Sequence, residues 1–307
     1  MDAVEHAFKL RAVGKADAPG ILGIRTQDGG FHIKAGILYL QRPYFVAKTN
    51  ANFPNNRSCH GLPTIQGIIS VSHASDGRLL ALMDSIEITI IRTGAATGIA
   101  AKYLSREDAE TATIIWCGNQ GRISLRALMK VRALKKVFIY DINDSMADSF
   151  IEELSNEFPN LIQKTPDIRR AVGKSDICVT CTPSRKYFLK REFVMPGAFI
   201  AAVGSDSEDK QELDPTLLSL HTVVTDSVDQ CERIGEVHHA INKGMKRDHV
   251  YAELGEVISG CKRGRSSAEE IIIFDSTGTA LQDVAAAAIV YEKAVNLPDV
   301  RKIQFEE

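Results

Sequence analysis

The sequence is short of almost everything that marks a secreted, membrane-spanning, metal-binding or nucleic-acid-binding chain. Its six cysteines, Cys59, Cys117, Cys178, Cys181, Cys231 and Cys261, are scattered, and the start Met-Asp-Ala-Val-Glu-His has no basic stretch leading into an apolar run. Both features argue against secretion and a disulfide framework. Only Cys178-Val-Thr-Cys181 has a suggestive spacing. It lies in an apolar stretch whose alternate residues face opposite sides of a strand, and no second Cys/His pair completes a zinc set. His32, His73, His238 and His239 recur at no metal-type spacing and read as structural, so no metal is expected. No apolar run approaches the roughly 20 residues of a membrane span. Charge of one sign is also missing: 37 basic residues meet 39 acidic ones, for a net charge of −2. No strong field is therefore available to recruit nucleic acid or an anionic membrane. Internal repeats and low-complexity tracts are absent. What these absences leave is a cytoplasmic protein working on small molecules.

What is present is a chain of 307 residues, 44% hydrophobic and 25% charged, enough to build one large or two medium cores. Residues 1–15 carry Val4, Phe8 and an apolar group at 10–13 at roughly helical spacing, then break at Gly14 and Gly20. Three β-prone runs follow at 31–35, 44–48 and 65–71, separated by Asn, Gly and Pro clusters, which predicts a mostly antiparallel sheet. Asp76-Gly77 is a hairpin signal between 68–71 and 79–83. From 85 to 104, Ile86, Ile90, Ala95, Ala96, Ile99, Ala100 and Tyr103 recur at helical spacing, giving a long helix with Arg92 in its middle. After residue 108 strands and helices alternate: strands at 111–116, 136–140, 177–182, 199–203, 222–225 and 271–274, with helices at about 121–131 and 146–157. That alternation predicts a Rossmann-type doubly wound parallel sheet in an α/β protein. A final Ala-rich helix at 282–296 can return to the first part of the chain. The expected division is a smaller α+β unit of residues 1–92 with 284–307 and a dinucleotide unit of residues 93–283.

The run Ile114-Ile-Trp-Cys-Gly-Asn-Gln-Gly121 is a strand entering a glycine-bearing turn that opens a helix. Such a turn brings backbone N–H groups and the positive end of a helix against a pyrophosphate, and glycine lets the backbone come close. Gly118, Asn119 and Gln120 would form it. Asp141 ends the next strand, where a carboxylate accepts both ribose hydroxyls of NAD and repels a 2′-phosphate, which favours NAD(H) over NADP(H). The fingerprint is imperfect. G-x-G-x-x-G places its first glycine at Trp116, the only tryptophan of the chain, and the indole must point away from the pyrophosphate or it blocks binding. An ordinary strand-to-helix turn beside a surface Asp would read the same way.

Several blocks in order resemble the ornithine cyclodeaminase/μ-crystallin family, which includes alanine dehydrogenases and ketimine and other imino-acid reductases. They are Lys48-Thr-Asn with Gly61-Leu-Pro-Thr; Ile90-Ile-Arg-Thr-Gly-Ala-Ala; Cys117-Gly-Asn-Gln; Ala202-Val-Gly-Ser-Asp-Ser-Glu-Asp-Lys-Gln-Glu-Leu213; Gly235-Glu; Ala252-Glu-Leu-Gly-Glu; and Phe274-Asp-Ser-Thr-Gly-Thr-Ala-Leu-Gln-Asp283. The resemblance implies a homodimer built on the first sheet and a set of site residues. Lys48 matches a substrate-facing lysine, Arg92 the arginine that grips the substrate carboxylate, and Asp206 the acid that activates water or relays a proton. The types suit the roles: arginine offers a planar fork, lysine a point charge that moves a proton. Thr180 and Thr182 would pass over the nicotinamide side of the cofactor, Gly204 would let the backbone approach the ring, and Ser276 to Gly278 would close on it.

Two departures bear on activity. Where cyclodeaminases of the family carry a Glu-x-Met-Pro stretch that recognises the distal amine of ornithine, this chain has His32-Ile-Lys-Ala. Lys34 beside Lys48 and Arg92 would repel an ammonium and welcome an anionic or polar group, so Lys34 joins the expected substrate-binding residues. The family also usually carries a further strand and helix before the point matching Met1. The implied activity is hydride transfer at the α-carbon of a small amino or imino acid with NAD(H). An ornithine cyclodeaminase, and a non-catalytic μ-crystallin-like binding protein, remain the alternatives.

Overall fold

The computed structural model describes residues 1–18 and 20–301. Sixteen strands form three sheets among these residues. The first sheet contains β1 (Ala16–Asp17), β2 (Ile21–Arg25), β3 (Gly30–Tyr39), β4 (Pro43–Asn52), β5 (Ile65–His73) and β6 (Leu79–Asp84), all antiparallel to their neighbours in the order β1-β3-β4-β5-β6 with β2 also on β3. The β5–β6 turn holds Gly77 at φ 76°, the left-handed conformation that the Asp-Gly pair anticipates. Period two decides the faces. Lys34, Gly36 and Leu38 on β3, Tyr44, Val46 and Lys48 on β4, and Ile69 and Val71 on β5 are buried on the inner face.

The second sheet is the expected doubly wound one. It consists of β7 (Thr111–Ile115), β8 (Lys136–Tyr140), β9 (Ile162–Lys164), β10 (Ile177–Thr180), β12 (Phe199–Ala202), β14 (Thr222–Thr225), β15 (Val250–Glu253) and β16 (Ile272–Asp275). All pairs are parallel, in the order β15-β14-β16-β12-β10-β7-β8-β9. Chain direction across the sheet reverses at β7, which leaves a crevice beyond the carboxyl end of that strand. A third, two-stranded sheet pairs β11 (Arg185–Leu189) with β13 (Gln211–Leu213). The central strands are apolar on both sides because helices cover both faces: Ile114, Val179 and Phe199 join one core, Ile115, Cys178 and Ile200 the other. Six short strands, β1, β2, β9, β11, β13 and β15, were not among the expected strands. Each has five residues or fewer, too few for a pattern, and β2 is preceded and interrupted by glycine.

Two helices join the sheets. Helix Ile86–Leu104 runs from the first to the second, and Gly94 and Gly98 let it approach helix Asn119–Met129. A methyl group at Gly94 would lie 2.6 Å from Ile123 Cγ1, and one at Gly98 would lie 2.9 Å from Ala127 Cβ. Helix Ala280–Ala294 returns the chain, burying Leu281, Val284, Ala285 and Ala288 against Leu38, Val46, Ile69 and Val71 of the first sheet. The loop between β16 and this helix is thereby carried over the inner face of β3 and β4. No helix among the described residues is long and apolar enough to cross a membrane.

Candidate functional site

The register of the first sheet sets Lys34 on β3 directly opposite Lys48 on β4, both pointing inward and both buried. Two buried ammonium groups in adjacent strands need anionic or carbonyl partners. Lys48 Nζ lies 2.7 Å from the carboxylate of Asp283, in the first turn of helix Ala280–Ala294, and 3.4 Å from Thr89 Oγ1. Lys34 Nζ donates to the main-chain oxygens of Thr277 at 3.0 Å and Gly278 at 2.6 Å. Arg92, from the middle of the connecting helix, meets the same carboxylate (Nε to Asp283 Oδ1, 3.1 Å) and donates from Nη1 to Gln282 Oε1 at 2.9 Å.

One carboxylate thus faces two cations, with a third close by. Burial pulls the Lys48 ammonium down to about 7; Asp283 opposes this, and Arg92 and Lys34 add to it. Lys34 is lowered as well, by burial and then by Arg92. Burial works against ionisation of Asp283, but the Lys48 and Arg92 cations outweigh it and hold the carboxyl below its ordinary value. Asp283 was not among the expected site residues, although it ends one of the sequence blocks. An acidic residue on the apolar face of an Ala-rich helix was the signal available.

The loop Ser276 to Gly278 is built around a second residue that the sequence did not single out. Asp226, fully buried just after β14, accepts from Ser276 Oγ (2.9 Å), Thr277 Oγ1 (3.3 Å) and Gly278 N (2.7 Å). From the other side Gln230 Nε2 donates to Thr277 Oγ1 at 2.6 Å and to Gly278 O at 3.1 Å. Gly278 sits at φ 74°, and a methyl group there would lie 2.3 Å from Arg92 Nη1, so glycine is needed for both the turn and the arginine. The carbonyls left outward by this arrangement are those that Lys34 takes. Lys34, expected as a free substrate cation, therefore spends two of its donors on this loop.

Asp206 follows β12 in a loop that reaches the first sheet, where Arg25 on β2 lies 3.5 Å from Glu208 and 3.2 Å from Asp209. The Asp206 carboxylate is partly exposed and accepts from Lys210 Nζ at 2.6 Å. Burial opposes its ionisation, but Lys210, Lys34 and His32 hold it well below the usual carboxylate range.

The remaining expected residues around β10 and β12 gather on one buried acid. Glu212, fully buried, accepts from Thr180 Oγ1 (2.8 Å), Thr182 N (2.5 Å) and Gly204 N (3.0 Å). The space a side chain at Gly204 would fill is taken by Glu212 Cδ at 2.6 Å and Thr182 O at 2.5 Å, so this glycine admits a carboxylate rather than a ring. Two further buried acids continue the pattern. Glu236 takes the N–H groups of Glu212 (2.7 Å) and Leu213 (3.1 Å), and Asp275 takes that of Val237 (2.9 Å). Burial pushes Glu212 and Glu236 up, and Asp275 to about 7. Cys178 and Cys181 are buried and also pushed up by burial, and no group of metal-binding side chains occurs among the described residues.

At the reversal point of the parallel sheet, Gly118 is the N-cap of helix Asn119–Met129. A methyl group at Gly121 would lie 2.2 Å from Trp116 O, which accounts for glycine at the close strand–helix contact. Asp141, at the end of β8, accepts from Cys117 N and Asn143 N, both at 2.8 Å, and so fixes the turn from the neighbouring strand. Trp116 adopts φ 96°, a region a bulky side chain enters at roughly 1–3 kcal/mol. Its indole does not point away from the turn as expected: Nε1 lies 2.9 Å from the place a methyl group on Gly118 would occupy.

The family model of the ornithine cyclodeaminase/mu-crystallin family matches residues 1–297. This chain belongs to that family. Among solved members, an archaeal alanine dehydrogenase dimer with bound NAD is 38% identical, with a TM-score of 0.94, covering 99% of this chain and 93% of that one. The Delta(1)-pyrroline-2-carboxylate reductase of Thermococcus litoralis, in complex with NADH and L-proline, is 34% identical with a TM-score of 0.91 over 96% of this chain and 92% of that one. The iminosuccinate reductase of Paracoccus denitrificans, in complex with NAD+, is 32% identical with a TM-score of 0.88 over 96% and 90%. In this chain three of the blocks contribute to the Lys48, Arg92 and Asp283 cluster, and three supply the buried acids Glu212, Glu236 and Asp275.

Proposed function

We propose that this family member is an NAD(H)-dependent oxidoreductase of a small amino or imino acid. The observation that carries the reading is the buried Lys48 beside Arg92, both paired with the carboxylate of Asp283. The turn fits a dinucleotide on backbone grounds: a glycine N-cap at a helix end and a carboxylate on the next strand, at the reversal point of a doubly wound sheet. Gly118, Asn119 and Gln120 would hold the pyrophosphate and Asp141 the adenosine ribose, with Ile142, 80% exposed, offering apolar surface beside it. When bound, the nicotinamide supplies or takes up the hydride.

The chain's own groups do the rest. Arg92, ion-paired with Asp283 and held through Nη1 by Gln282, presents its remaining amino group to the substrate carboxylate. Lys48 gives a proton to the imine nitrogen during reduction and takes it back during oxidation, a task that a pKa of about 7 suits. Asp206, kept ionised by Lys210, Lys34 and His32, accepts a proton from water adding at the α-carbon when ammonia is to be released. Asp283 positions both cations. Two features weigh against the alternatives. The buried Lys34 in the cluster disfavours the distal ammonium of ornithine, and the similar chains named dehydrogenases and reductases weigh against a purely binding protein.

The proposed assembly is a homodimer through the outer face of the first sheet, where Leu22, Ile24, Phe31, Ile68 and Leu82 are each at least 38% exposed. The division into residues 1–92 with 284–307, of which 302–307 lie outside the described residues, and residues 93–283, and a cytoplasmic location, complete the reading. The test is an NADH-consumption assay with pyruvate and ammonia, glyoxylate or oxaloacetate with ammonia or methylamine, and five- and six-membered cyclic imino acids. Turnover with at least one is expected. Conversion of ornithine to proline and ammonia without net NADH change, and no NADH consumption with any of these, contradicts it.

A further inference from the structure

Three observations converge on the lone tryptophan. Its backbone is pinned: Trp116 N donates to Tyr140 O at 2.7 Å, Cys181 Sγ lies 3.7 Å from Trp116 O, and the next amide, Cys117 N, is held by Asp141. Its φ of 96° is the conformation that glycine provides at the tight turn of a dinucleotide fingerprint, so the main chain follows the fingerprint although the side chain does not. And its partly exposed indole lies edge-on over Gly118, with Nε1 2.9 Å and Cδ1 3.2 Å from the place a methyl group there would occupy. The middle glycine of the fingerprint is bare so that a pyrophosphate can approach the backbone at that spot. The space that the missing Cβ leaves open is therefore filled by the indole edge.

We propose that Trp116 is a gate on the dinucleotide site: its indole and the cofactor pyrophosphate compete for the surface of Gly118, and binding requires the side chain to rotate off it. The proposal rests on the assignment of this turn to the cofactor. With the backbone fixed at both ends, χ rotation is the motion left to this partly exposed side chain. The apparent affinity for any ligand whose phosphates sit on this turn is lowered by the fraction of time the indole is away. Affinity for the cofactor is then set by a residue that makes no contact with the nicotinamide or the adenine. The N–H edge, freed from Gly118, becomes solvated in the bound state.

Because the chain has one tryptophan, its emission reports this movement directly. Titration with ADP-ribose, which carries the pyrophosphate but no nicotinamide to absorb the emitted light, is expected to shift the emission of the wild-type protein to the red. The dissociation constant for NADH, read from the cofactor's own fluorescence, is expected to fall about tenfold or more in Trp116→Gly, corresponding to an indole that is off the turn a tenth of the time or less. Trp116→Phe, which keeps a ring on the turn, should fall between the two. Glycine is the residue this φ favours, and a melting curve verifies that the variant is folded. Equal or weaker NADH binding by a folded Trp116→Gly, with the wild type also binding, overturns the gate and leaves the cofactor assignment standing. An unchanged emission spectrum at saturating ADP-ribose does the same. Absence of NADH binding by both proteins overturns the gate and the cofactor assignment together.

Discussion

Asp283 touches Lys48 and Arg92 at once, and the behaviour of the site follows from that one carboxylate between two cations. Asp283→Asn leaves the cations buried without a counter-charge, a change expected to destabilise the protein by roughly 3–5 kcal/mol. Thermal or urea unfolding measures it; a loss below about 1 kcal/mol, the size of an exposed ion pair, would show that the cluster is not buried in solution. Lys48→Met is expected to lower turnover by about 10²–10⁴-fold, the usual contribution of a positioned acid or base, while NADH binding stays intact. The pH dependence follows from a lysine lowered to about 7. Below that value the ammonium can donate, so imine reduction should be fastest there and decline as pH rises through it. Oxidation of the amino acid needs the neutral amine and should rise through the same value to a plateau. Rate profiles in both directions check this, and parallel limbs would contradict it.

At this scale the sequence shows residue types better than it shows their partners. Lys48, Arg92 and Asp206 lie in recognisable blocks; the structure sets Lys48 and Arg92 on one carboxylate, Asp283, and pairs Asp206 with Lys210. Asp283 stands in such a block too, but which charge it meets depends on helix Ala280–Ala294 crossing back to the first sheet, which no local pattern states. Asp226 is outside every block. Gly204 stands in a block, but that Glu212 fills the place of its missing side chain is not legible there, because the need for a missing side chain does not say what takes its space.

The elements that matter most are the loop Ser276 to Gly278 and the turn after β7. The first is held by Asp226 and Gln230 on one side and Lys34 on the other. Asp226→Ala removes the acceptor of Gly278 N and of two hydroxyls, so the Gly278 amide should exchange with solvent deuterium about tenfold faster or more, an opening shift of the size of one net hydrogen bond. Hydrogen-exchange mass spectrometry of the peptide spanning the loop measures it; unchanged exchange would mean that Lys34 and Gln230 suffice. Elements of this kind are only partly legible. Strands β3, β4, β5, β7, β8, β10, β12 and β16 stood out because they are long or continuously apolar, and the long connecting helix because its small residues repeat. Strands β1, β2, β9, β11, β13 and β15 escaped because two to five residues carry too little periodicity. The turn after β7 was located, but the direction of its indole depends on χ angles that a sequence does not encode.

At the scale of the whole molecule, the alternation of strands and helices after residue 108 fixed the parallel sheet, and the order of blocks fixed the family. The strand order and the return of the last helix needed the structure. The outer face of the first sheet, with Leu22, Ile24, Phe31, Ile68 and Leu82 open, is expected to be covered by a second copy. Light scattering should give twice the 33.7 kDa chain mass, and Leu82→Lys should shift it toward the monomer; a wild-type monomer at all concentrations would contradict the proposed assembly.

The central claim is that hydride passes between the nicotinamide and the substrate α-carbon above Lys48 and Arg92. Its most direct test is isotopic: NADH carrying deuterium on the transferred face of C4, given with a reducible imino acid, and the product examined by NMR. The account predicts one deuterium at the α-carbon of the amino acid, and none from the solvent at that position. Product formed with solvent hydrogen at the α-carbon and the cofactor label retained would contradict it.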